Sequence, residues 1–286
     1  MGADQWIAIL GDVGGWYDRL DEVVGRLGGD PDQGTLPDDV VVVQVGDLVH
    51  KGPDSDRCVA LVEQMHRNVP DQWVQLVGNH EASYLPGGVP GPWPDRLPDA
   101  LVATLRRWKE AGLLRLAVAI DAGTDGQVLV THSGLTRRRW EQLGQPVDAQ
   151  AAAAAIERQW HRDPVAALRP GISLVATDPG VVGADAASEL LAGWATAERL
   201  PFNQVHGHTS GFVWEAGSWD PALPEALWGR AVADPTRRHT TVRWPGGWII
   251  GIDPRYTRVG ADIPITPLVV RGRVLEIAGG QSDGSR

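Results

Sequence analysis

Through the first third of the chain, short apolar runs alternate with amphipathic stretches. Residues 6–10 predict a buried strand, and residues 17–27 place Leu20, Val23, Val24 and Leu27 on one face of a helix. Gly28-Gly29-Asp30-Pro31 closes that helix. Residues 40–45 are a nearly continuous β-branched run, the pattern of a strand covered on both faces. Ser55 is placed to cap a helix carrying Val59, Leu61, Val62 and Met65, and residues 72–77 predict the next strand. This βαβαβ rhythm predicts a central sheet flanked by helices, with functional loops at the carboxyl ends of the strands.

Further along, residues 84–98 are rich in proline and glycine and predict an ordered surface loop. A helix over 98–111 follows, then strands at 114–120 and 127–131 joined by Ala122-Gly123-Thr124-Asp125-Gly126. Residues 136–200 read as mostly helical, an insertion or cap over the strand ends, and 204–206 return to the sheet. Short strands at 240–244, 248–252, 266–270 and 274–277 suggest a second sheet. One domain over 1–280 with a helical insertion near 136–200 is expected, followed by a flexible tail at 281–286.

The formal net charge of −10 argues against a nucleic-acid or membrane-surface binder, whose phosphates such a surface repels. Small phosphorylated molecules stay open, because bound cations reverse the field locally. A lone cysteine, Cys58, permits no internal disulfide and fits a small buried side chain. With no signal-like segment and no apolar run of about 18 residues, a cytoplasmic location is expected. Thirteen tryptophans against two phenylalanines and three tyrosines cast Trp as the aromatic core filler, with Trp16 and Trp93 as candidates to line a pocket.

Chemistry concentrates where the apolar runs end. Gly11-Asp12, Gly46-Asp47, Gly78-Asn79-His80-Glu81 and Thr131-His132-Ser133 each follow a predicted strand, and His206-Gly207-His208-Thr209 comes about 75 residues later. Asp12 and Asp47 are 35 residues apart and Asp47 and Asn79 are 32 apart, each interval suiting one strand-to-strand unit. Oxygen and imidazole donors converging from several loops suit hard or borderline divalent cations: manganese first, then iron or zinc. Asp47, in the middle, is placed to bridge two of them. Glu81 fits a supporting acceptor or helix-start residue better than a ligand. Asp253, after a late strand, is a candidate partner for a ligand histidine. His66, His161 and His239 lie outside the motif loops and are expected at the surface.

These residues resemble the calcineurin-like metallophosphoesterases. Gly46-Asp47-Leu48-Val49-His50-Lys51-Gly52-Pro53-Asp54-Ser55 is similar to the second motif of the phosphoprotein phosphatase and symmetrical diadenosine tetraphosphatase branch. Gly78-Asn79-His80-Glu81 matches the third motif, and the loops of His132 and His208 resemble the fourth and fifth. The resemblance covers roughly residues 5–210. It implies an α/β fold: a central β-sandwich of mixed sheets flanked by helices. It further implies two divalent ions, one held by Asp12 and Asp47, the other by Asp47, Asn79, His132 and His208. In that family a hydroxide bridging the ions attacks phosphorus in line. His80 matches the general acid, and Lys51 stands where the branch has a phosphate-contacting arginine.

Two positions depart from the family pattern. The histidine normally found two residues after the first aspartate is Gly14, which cannot ligate; His206, beside His208, is the best replacement, with His50, Asp18 or water behind it. His50 stands where protein phosphatases have an aspartate that orients the acid histidine. The expected activity is hydrolysis of a phosphomonoester or nucleotide polyphosphate. A serine/threonine protein phosphatase acting on a phosphoprotein, and a metal-depleted ligand-binding relative, are the alternatives. The oligomeric state is left open. Ala82-Ser83-Tyr84 lacks the arginine that protein phosphatases carry after this motif, which favours small substrates.

Overall fold

A computed structural model of the protein describes residues 5–91, 96–171, 178–255 and 263–276. Trp93, Ile277 and the tail at 281–286 lie outside the described residues. The βαβαβ half comprises β1 (Gln5–Leu10), α1 (Tyr17–Arg26), β2 (Val40–Gln44), α2 (Ser55–Asn68) and β3 (Trp73–Leu76). β1, β2 and β3 pair in parallel, so their carboxyl ends emerge side by side. A short α3 (Asn79–Ala82), then α4 (Asp99–Glu110), lead to β4 (Leu114–Arg115), which extends that edge in parallel with β3.

The other half begins with the antiparallel pair β5 (Ala117–Asp121) and β6 (Gln127–Thr131). Helices α5 (Arg137–Gln142), α6 (Ala149–Arg162), α7 (Pro164–Ala167) and α8 (Ala192–Trp194) separate these from β7 (Asn203–His206), which joins β6 in parallel. After a small hairpin, β8 (Phe212–Val213) and β9 (Ser218–Trp219), come β10 (Ala231–Asp234), β11 (His239–Trp244), β12 (Gly247–Gly251) and β13 (Leu268–Val274).

The C-terminal strands do not make a sheet of their own. β12 pairs with β7, and β13 lies antiparallel between β1 and β5, so eleven strands share one ladder. β13 is also one strand where two were expected. Ile7 and Ile9 of β1 and Val41 and Val43 of β2 share one buried cluster with Val118 and Ile120 of β5, Val128 and Val130 of β6 and Val205 of β7. The two halves therefore meet face to face as a sandwich. Their alternate residues, including Ala8, Leu10, Val42, Ala117 and Leu129, point outward into a second cluster shared with α1, α2, α4 and α6.

The 136–200 region divides. α6 packs Ala152, Ala153, Ile156 and Trp160 onto the outer face of β5 and β6. Residues 178–191 instead run past the loops that follow β6 and β7: Ser133 N donates to the Val181 carbonyl at 2.8 Å, and Ala186 N to Thr209 Oγ1 at 2.8 Å.

Other expectations need correcting. Ser55 does not cap α2; its hydroxyl accepts the His50 N–H at 3.0 Å, and Asp54 holds the cap position. His66 and His239 are buried, His66 edge-on to Trp108 and His239 bonded to the Thr266 carbonyl at 2.9 Å, whereas His161 is exposed. Trp16 packs against the helical-side core. Cys58 is buried. Among the described residues no helix is long and apolar enough to cross a membrane.

Candidate metal centre

Five loops meet at the strand ends, and main-chain bonds fix the first two together. Val13 N and Gly14 N donate to the Asp47 carbonyl at 3.1 and 2.7 Å, and Gly15 N to that of Leu48 at 2.9 Å. Beneath them Gln44, buried at the end of β2, donates to the Gly11 and Gly46 carbonyls at 3.1 and 2.8 Å and accepts the Gly46 N–H at 2.9 Å. The third loop is joined through Glu81, whose buried carboxylate accepts from Asp47 N at 2.8 Å, Leu48 N at 2.9 Å and Gly78 N at 2.9 Å. Gly46, at φ 107°, and Gly78 face each other so closely that a Cβ on Gly46 would overlap the Gly78 main chain and one on Gly78 the Asp47 carboxylate. Asp47 (φ 54°), His50 (φ 69°), Lys51 (φ 61°) and His208 (φ 66°) all hold left-handed backbone, strain of the kind that gathers where surroundings over-determine a site.

The side chains then converge. One ligand atom each from Asp47, His132 and His208 lies within 4.8 Å of the other two. His132 Nδ1 donates to the Val45 carbonyl at 3.0 Å, so its Nε2 lone pair faces Asp47 Oδ1 at 3.4 Å. The inward atom of the Asn79 carboxamide lies 3.1 Å from His132 Nε2, 2.9 Å from His208 Nδ1, and 3.2 and 3.3 Å from the two Asp47 oxygens. The Asp47 oxygens and His132 Nε2 are acceptors. With no cation the amide satisfies them only by presenting its NH2; with one, its oxygen becomes a fourth ligand. Asp12 Oδ1 accepts the His208 N–H at 3.0 Å, while its buried Oδ2 has no hydrogen-bond partner among the described residues.

The electrostatics ask for positive charge. Burial, then Asp253 and Asp47, push the Asp12 carboxyl well above the usual range. Burial lifts Asp47 to about 6 against the pull of Lys51, and lifts Asp253 to about 6. Burial holds the imidazoles neutral, His132 at about 3 and His208 well below the ordinary value, which keeps their lone pairs available. Crowded carboxylates beside neutral imidazoles fit a divalent cation, which would reverse the field. Asn79, Lys51 and His208 are half-exposed and form the open side of the cluster.

A model of the calcineurin-like phosphoesterase family matches residues 6–210. The chain belongs to the calcineurin-like phosphoesterase family. It is therefore a hydrolase of a metal-dependent family. It is similar to the zinc-dependent endopolyphosphatase of Saccharomyces cerevisiae, 38% identical over 73 residues, and to an asymmetrical bis(5'-nucleosyl)-tetraphosphatase of Halalkalibacterium halodurans, 38% identical over 74. Those stretches are 25% of this chain and 19% and 29% of the two relatives. Among solved structures, a point mutant of a cold-active protein tyrosine phosphatase shares the fold: TM-score 0.51, 17% identity, 96% of this chain covered and 81% of that one.

Within the calcineurin-like phosphoesterase centre, the structure separates the candidate residues. Asp12, Asp47, Asn79, His80, His132 and His208 come together. His206 does not join them: its Nδ1 bonds the Gly207 carbonyl at 2.9 Å and its ring lies against Gly251 on β12. β7 ends at His206 and His208 turns left-handed, so neighbours in sequence face different surroundings. His80 Nδ1 bonds the Val49 carbonyl at 2.9 Å, leaving Nε2 3.4 Å from Asp47 Oδ2. His50 Nε2 bonds the Tyr84 hydroxyl at 2.9 Å, with its ring 5.0 Å from that of His80. The Lys51 stem passes over Gly14, and burial, which would lower its pKa, is outweighed by Asp47, Asp12, Asp253 and Glu81, which raise it. Sequence reasoning missed Gln44; a glutamine ending an otherwise apolar strand was its only signal.

Proposed function

We propose that this phosphoesterase hydrolyses a phosphoanhydride or phosphomonoester of a small molecule, a nucleotide polyphosphate foremost, at a divalent-cation centre with manganese as the first cation to try. The observation that carries the reading is the convergence of Asp47, Asn79, His132 and His208 on one spot at the open ends of the strands. A cation held by these four residues supplies Lewis acidity toward a phosphoryl oxygen and lowers the pKa of a bound water.

The chain's own groups do the rest. His80 has its Nδ1–H committed to Val49, so any proton it hands to the leaving oxygen is carried on Nε2, the atom facing Asp47. Lys51 adds a point charge on the half-exposed side, where a phosphate approaches. The names of the two curated relatives favour polyphosphorylated substrates. Tyr84, which engages His50 three residues past Glu81, where protein phosphatases carry an arginine, favours a small-molecule substrate over a phosphoprotein. The two-ion reading, with Asp47 as bridge, needs a second ion beside Asp12, whose neighbours among the described residues include the Asp47 and Asp253 carboxylates.

A panel of bis(5'-adenosyl) tetraphosphate, inorganic polyphosphate, an aryl phosphate and a phosphopeptide, run with Mn²⁺, tests this. Cleavage of an anhydride by the wild type and its loss in Asp47→Asn is expected. Cleavage of the phosphopeptide alone, or equal activity in the variant, overturns it.

A further inference from the structure

Three rings pack in sequence beside this centre, and we propose that Tyr84 is a positioning residue of the reaction. Its hydroxyl holds the His50 ring, which in turn holds His80 at the angle from which Nε2 meets the leaving oxygen. The inference rests on the phosphoesterase reading above, with His80 as the proton donor. The Nδ1–H of His80 is taken by the Val49 carbonyl at 2.9 Å, so position 50 can act on that ring through contact. The His50 ring lies 5.0 Å from that of His80, tilted by 49°, and 5.6 Å from that of Tyr84, tilted by 47°. A hydrogen bond at one atom lets an imidazole swing about it. A second ring packed against the first removes that freedom.

The wedge is itself held from two directions. Its backbone is left-handed (φ 69°), and His50 N donates to Ser55 Oγ at 3.0 Å. Such a conformation is uncommon outside glycine and persists where the surroundings fix it. At the ring, Nε2 lies 2.9 Å from the Tyr84 hydroxyl, which also accepts the Leu97 N–H at 3.1 Å. Tyr84 is anchored through its main chain: its N–H donates to the Glu81 carbonyl at 3.0 Å, and its carbonyl accepts from Arg106 Nε at 3.1 Å. Glu81 directly follows His80, so the contacts close a short circuit from His80 through His50 and Tyr84 back to the same loop. All three rings are buried. Phenylalanine would fill the same space at position 84, so the hydroxyl is what holds His50. Its removal strips the Leu97 N–H of its acceptor and frees the His50 ring to turn.

The test is a double-mutant cycle of Tyr84→Phe and His80→Asn, with Mn²⁺ and the member of the panel above that the wild type cleaves fastest. Alone, Tyr84→Phe should lower kcat by about 10- to 100-fold with KM little changed, the scale on which a small misplacement of a reacting group acts. On top of His80→Asn it should change nothing further. A tyrosine that merely supports the fold lowers both backgrounds by the same factor. Equal factors, an unaffected kcat, or full activity in His80→Asn overturn the proposal. A second readout needs no turnover: imidazole ¹H–¹⁵N spectra of the metal-free protein. Tyr84→Phe should move the His50 and His80 signals and leave those of His132 and His208 in place; an unmoved His80 overturns the proposal as well. Should Tyr84→Phe fail to fold, His50→Leu, which removes the wedge itself, takes its place in both measurements. Wild-type protein that cleaves nothing in the panel sinks the phosphoesterase reading, whereas cleavage with equal factors in the cycle sinks only the role of Tyr84.

Discussion

Asp12 Oδ1 accepts the main-chain N–H of His208 at 3.0 Å, joining loops 196 residues apart. One carboxylate thus closes the ring of loops: it follows β1, fixes the backbone that presents a ligand imidazole, and keeps its second oxygen buried without a hydrogen-bond partner among the described residues.

Asp12→Ala should therefore lower kcat by roughly 10–100-fold, the usual effect of removing a group that orients a ligand. Metal analysis of the same protein should still find the ion held by Asp47, Asn79, His132 and His208. Loss of all bound metal would show that Asp12 is itself an indispensable ligand.

Glu81 makes a second test, because it touches backbone only. Its carboxylate gathers N–H groups from the second and third loops, and a glutamine must turn its NH2 toward one of those donors. Glu81→Gln should destabilise the fold by about 1–3 kcal/mol, the cost of leaving a buried N–H donor unpaired, and weaken metal binding with it. Urea unfolding and a Mn²⁺ titration measure the two effects. A variant as stable as wild type would remove Glu81 from the scaffold.

Much of this scaffold was legible in the chain, for physical reasons that also mark where legibility stopped. The β-branched run at 40–43 and the helical spacing of Leu20, Val23 and Val24 dictate burial directly, since period follows from backbone geometry. Pairing partners do not follow from period. β13 reads as short late strands, yet its place between β1 and β5 is chosen by shape and hydrogen bonding across more than 140 residues of sequence. Likewise His206 and His208 look equivalent as letters. The left-handed turn at His208 and the Gly251 surface beside His206 send them to different fates. Ser55 could cap a helix or hold a loop, and the nearby His50 N–H decided it.

His66 carries a pH prediction remote from the centre. Buried beside Trp108, it has its pKa lowered from 6.5 to about 4, because burial penalises the charged ring. The folded protein resists a proton that the unfolded chain accepts below 6.5. Stability is therefore unaffected above that pH and falls as pH drops from 6.5 toward 4. His66→Leu should flatten this part of the pH dependence of the urea midpoint. An unchanged slope would assign it to the other buried histidines.

The most direct measurement on the centre is anomalous diffraction at the manganese edge from crystals grown with Mn²⁺. A peak about 2.0–2.2 Å from Asp47, Asn79 Oδ1, His132 Nε2 and His208 Nδ1 is predicted, with the Asn79 oxygen turned inward. A peak elsewhere, or these four side chains left without one at saturating Mn²⁺, would contradict the account.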